Sequence, residues 1–411
     1  MKLLKKLWPK TVIARVMLLF AVSIVCIVGY NGASLGQSLI RWQAYIWAMS
    51  YWTSHNPDPE IPDDRKHLIF IMVDHYEHGG PKHLKRGARN NDAWCDKFQE
   101  ISDKCHDNYG NRFRYTWFYP FDHHNDAIMQ RLSNMALEGY GEIEMHWHLA
   151  PSSGINRENY AEKLQEAITW YQKYGAMITV DSPPKTAFAY IAGVWDLDAS
   201  RPSEQSLGLT NQIQVLKEKG CYADFTFSTI GTPAQPSKVN SIYYVDDDPD
   251  LPKSYDTGID VQVNNPTNDK LMIFQGPISI TWNGALEYGA IENDPRFHPK
   301  RISKWIDANI HVHGRPEWVF VKVYSHGAQS KEIVLAHDME WMLKCLKEEC
   351  SRRGITLHFM TAREAYNVVK AAEDGKTGDP EEFRDFKIGK YRNMVTSIAA
   401  GDSDRVVKSK D

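Results

Sequence analysis

Hydrophobic and polar positions divide the chain into stretches of different character. From Val12 to Tyr30 the residues are apolar apart from Arg15 near the start and Ser23. The run approaches the ~20 residues that cross a bilayer, and a basic side chain at its edge can snorkel to the headgroups. Residues 36–66 begin with helical spacing (Leu39, Trp42, Tyr45, Ile46, Met49) and end in a Pro- and Asp-rich stretch from Pro57 to Asp64. From His67 onward, short apolar runs alternate with amphipathic ones. Leu68–Val73, Thr116–Phe121, Ile143–His148, Ala187–Val194, Val319–Tyr324 and Leu357–Met360 read as buried strands. Asn125–Glu138 and Arg157–Tyr174 read as helices, the second with Tyr160, Leu164, Ile168 and Tyr171 at three- and four-residue steps. Leu335, Met339, Met342 and Leu346 repeat that spacing.

Strands alternating with such helices predict βα units and parallel pairing. About seven units in roughly 300 residues favour a barrel over an open sheet, with chemistry at the C-terminal strand ends. Residues 231–281 break the rhythm and read as an insertion into the 67–372 domain. Charges and Gly dominate from 373 to 411, which predicts a partly disordered tail.

Charge gives the first stretch a direction. Lys2, Lys5, Lys6 and Lys10 precede the apolar run, so the basic end is expected in the cytoplasm and the rest of the chain outside it. The run is long for a signal peptide and Asn31-Gly32-Ala33 is a poor cleavage site, which favours a retained single-pass anchor within residues 1–35. Trp42, Trp47 and Trp52 then suit either the membrane interface or packing against the domain. The formal net charge of -4 argues against nucleic acid as a partner. Of 6 Cys, Cys26 lies in the apolar run. Cys95 with Cys105 and Cys345 with Cys350 are conceivable pairs, which leaves Cys221 alone, and there is no CxxC.

Candidate chemistry lies just after the strands. Asp74-His75-Tyr76-Glu77-His78, Asp122-His123-His124, His146-Trp147-His148 and Ser325-His326-Gly327 each follow or end one. His146 and His148 are the sharpest signal, because residues two apart on a strand share a face and two imidazoles so placed can converge on a metal ion. A catalytic zinc-type site needs a third protein ligand, for which Asp74 or His75 is the natural candidate. The alternative is that both His face solvent or bond within the core. His311 and His313 precede a strand and read as structural, while Asp196, Asp198 and Asp224 are candidate orienting carboxylates. No P-loop, GxSxG or HExxH occurs, and no GxGxxG follows a strand. Asp74 with Asp122 or Asp196 keeps a two-carboxylate glycosidase open.

The order of these segments over residues 67–370 resembles the polysaccharide deacetylases, the NodB-homology carbohydrate esterases. That resemblance implies an irregular (β/α)7 barrel, here preceded by one N-terminal transmembrane helix. Leu68–His75 is similar to the family's first motif, which implies Asp74 as general base and His75 as a metal ligand in place of an acid. Gly141–His148 is similar to the second, implying His146 and His148 as metal ligands, here two apart rather than four. Tyr190–Trp195 stands at the groove-lining third motif, and Phe320–His326 at the last, implying His326 as general acid. Tyr119, Asp122, His123, Trp147 and Trp195 would bind substrate. The expectation is therefore a hydrolase that uses a divalent metal, zinc being expected, to remove N- or O-linked acetyl groups from a polysaccharide. Its place would be the bacterial inner membrane, with the domain periplasmic or otherwise extracytoplasmic. A glycoside hydrolase on the same fold and a non-catalytic glycan-binding envelope protein are the alternatives.

Overall fold

Alternate residues of the central strands enter two different cores. Leu68, Phe70 and Met72 pack in one, Ile69, Ile71 and Val73 in the other. Strands apolar on both faces belong in a sheet covered on both sides, as parallel sheets are. The computed structural model describes residues 36–395, apart from 38, 55–56, 79–83, 202–206, 281–285, 293–297, 328–333 and 335–337. The expected membrane anchor and residues 396–411 lie outside the described residues. Among those described, no helix is long and apolar enough to cross a membrane.

The strands are β1 (His67–His75), β2 (Tyr115–Pro120), β3 (Gly141–Trp147), β4 (Phe188–Ala192), β5 (Cys221–Asp224), β6 (Ser241–Val245), β7 (Ile259–Asp260), β8 (Leu271–Gln275), β9 (Ser279–Ile280), β10 (Leu286–Glu287), β11 (Trp318–Ser325) and β12 (Thr356–Met360). The helices are α1 (Ala44–Thr53), α2 (Leu84–Lys104), α3 (Asp126–Leu137), α4 (Tyr160–Gln172), α5 (Gln212–Glu218), α6 (Lys300–Asp307), α7 (Asp338–Arg353) and α8 (Ala362–Glu373). Local chemistry fixes several ends. The Asn125 side chain accepts from the backbone of Ala127 and Ile128 to start α3, and Thr361 with Glu364 forms a capping box on α8.

The result is a mixed α/β fold with a mostly parallel central sheet, ordered β11-β1-β2-β3-β4-β5-β8-β6-β7. One edge of β1 is shared, β12 lying along His67–Ile71 and β2 along Val73–His75. Only β6 and β7 run antiparallel to their neighbours in it. The stretch 231–281 is thus not wholly an insertion: β8 pairs in parallel with β5 and belongs to the sheet, and the excursion ends before it. Short strands with little flanking periodicity left β5 and β8 illegible in the sequence.

The sheet curls in a barrel-like way. Lys322 of β11, buried on the inner face, donates to the carbonyls of Phe225, Phe227 and Phe274, near the ends of β5 and β8 at the other side of the order. An ammonium thereby bridges a seam where no strand pairing is present among the described residues. Helix α8 contacts both β1 and β4 and has nearly every residue buried, so it lies across the concave face and fills one end. Packing also continues beyond 372: Tyr391 is fully buried and bridges Thr179, and Arg363 of α8 donates to Asp385 and to the carbonyl of Ile388. Apolar anchors spaced among the charges hold this segment, so disorder is not its state up to Val395. The described cysteines are all free, and the conceivable disulfides are not formed.

Candidate metal centre at the strand ends

Strand parity builds the site. On β3, Ile143, Met145 and Trp147 enter the outer core, so Glu142, Glu144, His146 and His148 face inward. On β1 the inward set is Ile69, Ile71, Val73 and His75. The inward sequence therefore ends in His75 beside His146, ring centroids 4.9 Å apart, with His326 after β11 placed 4.6 Å from His75. His148 lies 4.5 Å from His146. Gly193, after β4, allows this crowding, since a Cβ there would stand 2.5 Å from His148 Cα.

Glu77 occupies the centre. Its Oε1 is 3.4 Å from His146 Nε2, 3.2 Å from His148 Nε2 and 3.8 Å from His326 Nε2. The opposite nitrogen of each ring is held from behind. His146 Nδ1 lies 2.9 Å from the Ile191 carbonyl, His148 Nδ1 3.0 Å from Asp122 Oδ2 and His326 Nδ1 2.6 Å from Glu292 Oε1. A carbonyl can only accept, so His146 carries its proton on Nδ1. When that ring is neutral, a lone pair on Nε2 faces a carboxylate oxygen, an arrangement that needs a cation. Imidazoles whose far nitrogens are fixed by acceptors are the usual outer shell of a metal site. Ligands of a tetrahedral zinc with bonds of about 2.0–2.1 Å stand roughly 3.3 Å apart, which the Glu77 spacings approach. His75, Glu77 and His146 form one of the groups able to hold a metal ion, all donor atoms within 4.8 Å of one another. The residues fit a zinc-type ion.

Electrostatics follow from burial and pairing. Burial would raise the Glu77 carboxyl, but the charged His148, which donates to it, and the neighbouring His146 hold it well below its ordinary value. Burial opposes a charged His148, yet Asp122 and Glu77 outweigh it and push the ring up to about 10. Glu292 likewise raises His326 against burial. His75 and His146 are driven down, first by burial and then by neighbouring imidazoles. Glu77, His148 and His326 are each partly exposed while His146 is sealed, so the cluster opens on one side.

Several expected site residues lie elsewhere. Asp74 points to the opposite side of β1 from His75. It is fully buried, accepts from the Gly327 N–H at 2.5 Å and from Ser325 at 3.2 Å, and burial pushes its carboxyl up to about 8. Tyr119 and Trp147 are buried in the outer core, Tyr119 bonding His78 and Trp147 packing on Phe121, so neither lines a groove. Asp122 stands behind His148, and His123 is 3.3 Å from Asp122. Trp195 is half-buried against the outer core. Sequence reasoning missed Glu77 and Glu292. Continuing the β1 alternation two residues past His75 would have found Glu77, whereas Glu292 is placed by the pairing of Ile291 with Tyr324 and has no local signal.

No family model matches the chain, and no curated protein matches its sequence. Among solved structures it is similar to the 4-alpha-glucanotransferase from Thermococcus litoralis, with a TM-score of 0.40 and 12% identity over 74% of this chain. The match spans 40% of that enzyme's length.

Proposed function

We propose that the protein is a metal-dependent hydrolase that removes acetyl groups, N- or O-linked, from an extracytoplasmic polysaccharide, on a barrel similar to the polysaccharide deacetylases. The observation carrying this reading is the set of imidazoles backed by Ile191, Asp122 and Glu292 and converging on Glu77. His75, Glu77, His146 and His148 would hold the ion. Zinc bound there supplies a Lewis acid for an acyl carbonyl and lowers the pKa of water. His326, kept protonated by Glu292, gives its Nε2 proton to the departing amine or alcohol. Asp122 holds the orientation of His148, through both its backbone N–H and its ring. Asp74, sealed on the other face, orders the Ser325–Gly327 turn that carries His326.

The membrane tether belongs to the same proposal. Helix α1 buries Trp47 against the barrel but exposes Tyr45 (80%), Met49 (73%) and Trp52 (65%) on its other side. A helix apolar all round is expected to be covered, and the apolar run at 12–30 ends 13 residues before it. We place the bilayer interface on that face.

The test uses full-length protein in detergent. About one equivalent of zinc at this centre and acetate release from acetylated glycans of unchanged chain length are expected. His326→Gln should keep the metal and lower kcat by about 10²–10⁴-fold, while the His146→Ala/His148→Ala variant loses the metal at this centre. Fully loaded protein that releases no acetate from any acetylated glycan would overturn the reading, and shortened glycans would replace it with glycosidic cleavage.

A further inference from the structure

A second cluster lies at the other end of the sheet. Asp58, before β1, meets His311 and His313, before β11. Asp58 Oδ2 is 3.0 Å from His311 Nε2 and 3.4 Å from His313 Nδ1. The Gly314 N–H points at both Asp58 oxygens, at 3.0 and 2.9 Å. Gly314 has φ +86°, a conformation other residues rarely adopt, so the turn suits carboxylate capture. A cavity of about 320 Å³, bordered by Lys238, Asp260, His311 and His313, adjoins the cluster.

The placement of protons separates this cluster from an ordinary hydrogen-bonded pair. His311 Nδ1 faces the Asn309 carbonyl at 2.6 Å and must carry the ring's proton. In the neutral ring, Nε2 then presents a lone pair to the Asp58 carboxylate. His313 lies between two acids, with Asp58 on Nδ1 and Asp260 3.7 Å from Nε2. In the neutral ring with its proton toward Asp260, a second lone pair is directed at Asp58. By contrast, the third such group closes without a cation. His358 gives its Nδ1 proton to Glu381 and accepts on Nε2 from His67 Nδ1, 2.9 Å away.

We infer that Asp58 Oδ2, His311 Nε2 and His313 Nδ1 form a second divalent-metal site, of zinc type by its two-nitrogen, one-oxygen donor set. The three donor atoms lie within 4.8 Å of one another, and the adjoining cavity leaves room for water as a fourth ligand. Each ligand has an outer partner, namely Gly314, Asn309 and Asp260, as metal-binding side chains do. The ion's role is structural. It fastens the segment around Asp58 to the turn before β11, across more than 250 residues of chain. It does not depend on the hydrolase reading.

The experiment measures zinc per chain in full-length protein after exchange into metal-free buffer. Two equivalents are expected in the parent. One should remain in His146→Ala/His148→Ala, and that one should vanish on adding Asp58→Asn and His313→Gln. Folding is controlled in the His146→Ala/His148→Ala background. There zinc should raise Tm and protect residues 53–66 from protease, and His313→Gln should abolish both effects without changing the metal-free Tm by more than a few degrees. Unchanged zinc content in Asp58→Asn/His313→Gln, or no zinc-dependent protection of 53–66, overturns the inference. A parent that holds both equivalents yet releases no acetate would count against the function proposed above and not against this site.

Discussion

At the residue scale, parity decides which acid can act. Asp74 and His75 are neighbours in sequence, yet one strand step turns their side chains to opposite faces. His75 joins the cluster, while Asp74 is enclosed by Ser325, Gly327 and Tyr115. Removal of a true general base costs typically 10²–10⁴-fold in rate. Asp74→Asn, close in shape and able to keep the contact with Ser325, is therefore expected to retain kcat within about tenfold and to bind metal as the parent does. Glu77→Gln is expected to lose most of the metal at the centre. Measured kcat and zinc content of the two variants check this together; a thousandfold loss in Asp74→Asn with normal metal would restore the base role to Asp74.

At the scale of elements, the strands were legible because their apolar runs serve two cores. The histidine pair on β3 was legible because alternation is a property of the sequence itself. Glu77 lies two residues past His75, where the alternation runs on beyond the strand, and the same alternation turns Tyr119 and Trp147 to the outer core. Aromatic type suggested a sugar groove, but odd-numbered positions on β2 and β3 face the helices. Helix α2 escaped notice although Trp94, Phe98 and Ile101 recur at helical steps, because charged residues crowd between them. Glu292 owes its position to long-range pairing that no local pattern encodes. Helix α1 shows the complementary case: its lack of a polar face left two readings of its Trp residues open, and the structure divides them, with Trp47 inward and Trp52 outward. In vesicles with bromine-labelled acyl chains, full-length protein should show quenched emission, from Trp8 beside the apolar run as well as from Trp52, that Trp52→Phe reduces, whereas Trp47→Phe should leave it unchanged. Equal quenching with and without Trp52 would place that face away from lipid.

At the scale of the whole molecule, the sheet has a reactive end and a fastened end. The histidines gather where β1, β3 and β11 finish, and ion pairs gather where β2 and β3 begin and where β12 gives way to α8. There Arg384 joins Glu364 and Glu381, Arg114 also pairs with Glu364, and Glu381 reaches His358. These contacts strap residues 379–394 across the sheet. Burial would raise both carboxyls, but the guanidinium charges around Glu364 and the His358 and Arg384 bonds to Glu381 bring each down to about 2. A carboxyl whose folded pKa lies below its unfolded value stabilises fully above the unfolded value, near 4.5, and loses that contribution as pH falls toward 2. The strap should therefore loosen first in acid. Amide exchange corrected for intrinsic rate is expected to rise over residues 379–394 between pH 5 and pH 3 while β1 and β3 stay protected. Glu381→Gln should already show faster exchange of the strap at pH 7 and a weaker response to acid. Simultaneous loss of protection in strap and strands would mean that the two ends of the molecule unfold as one unit.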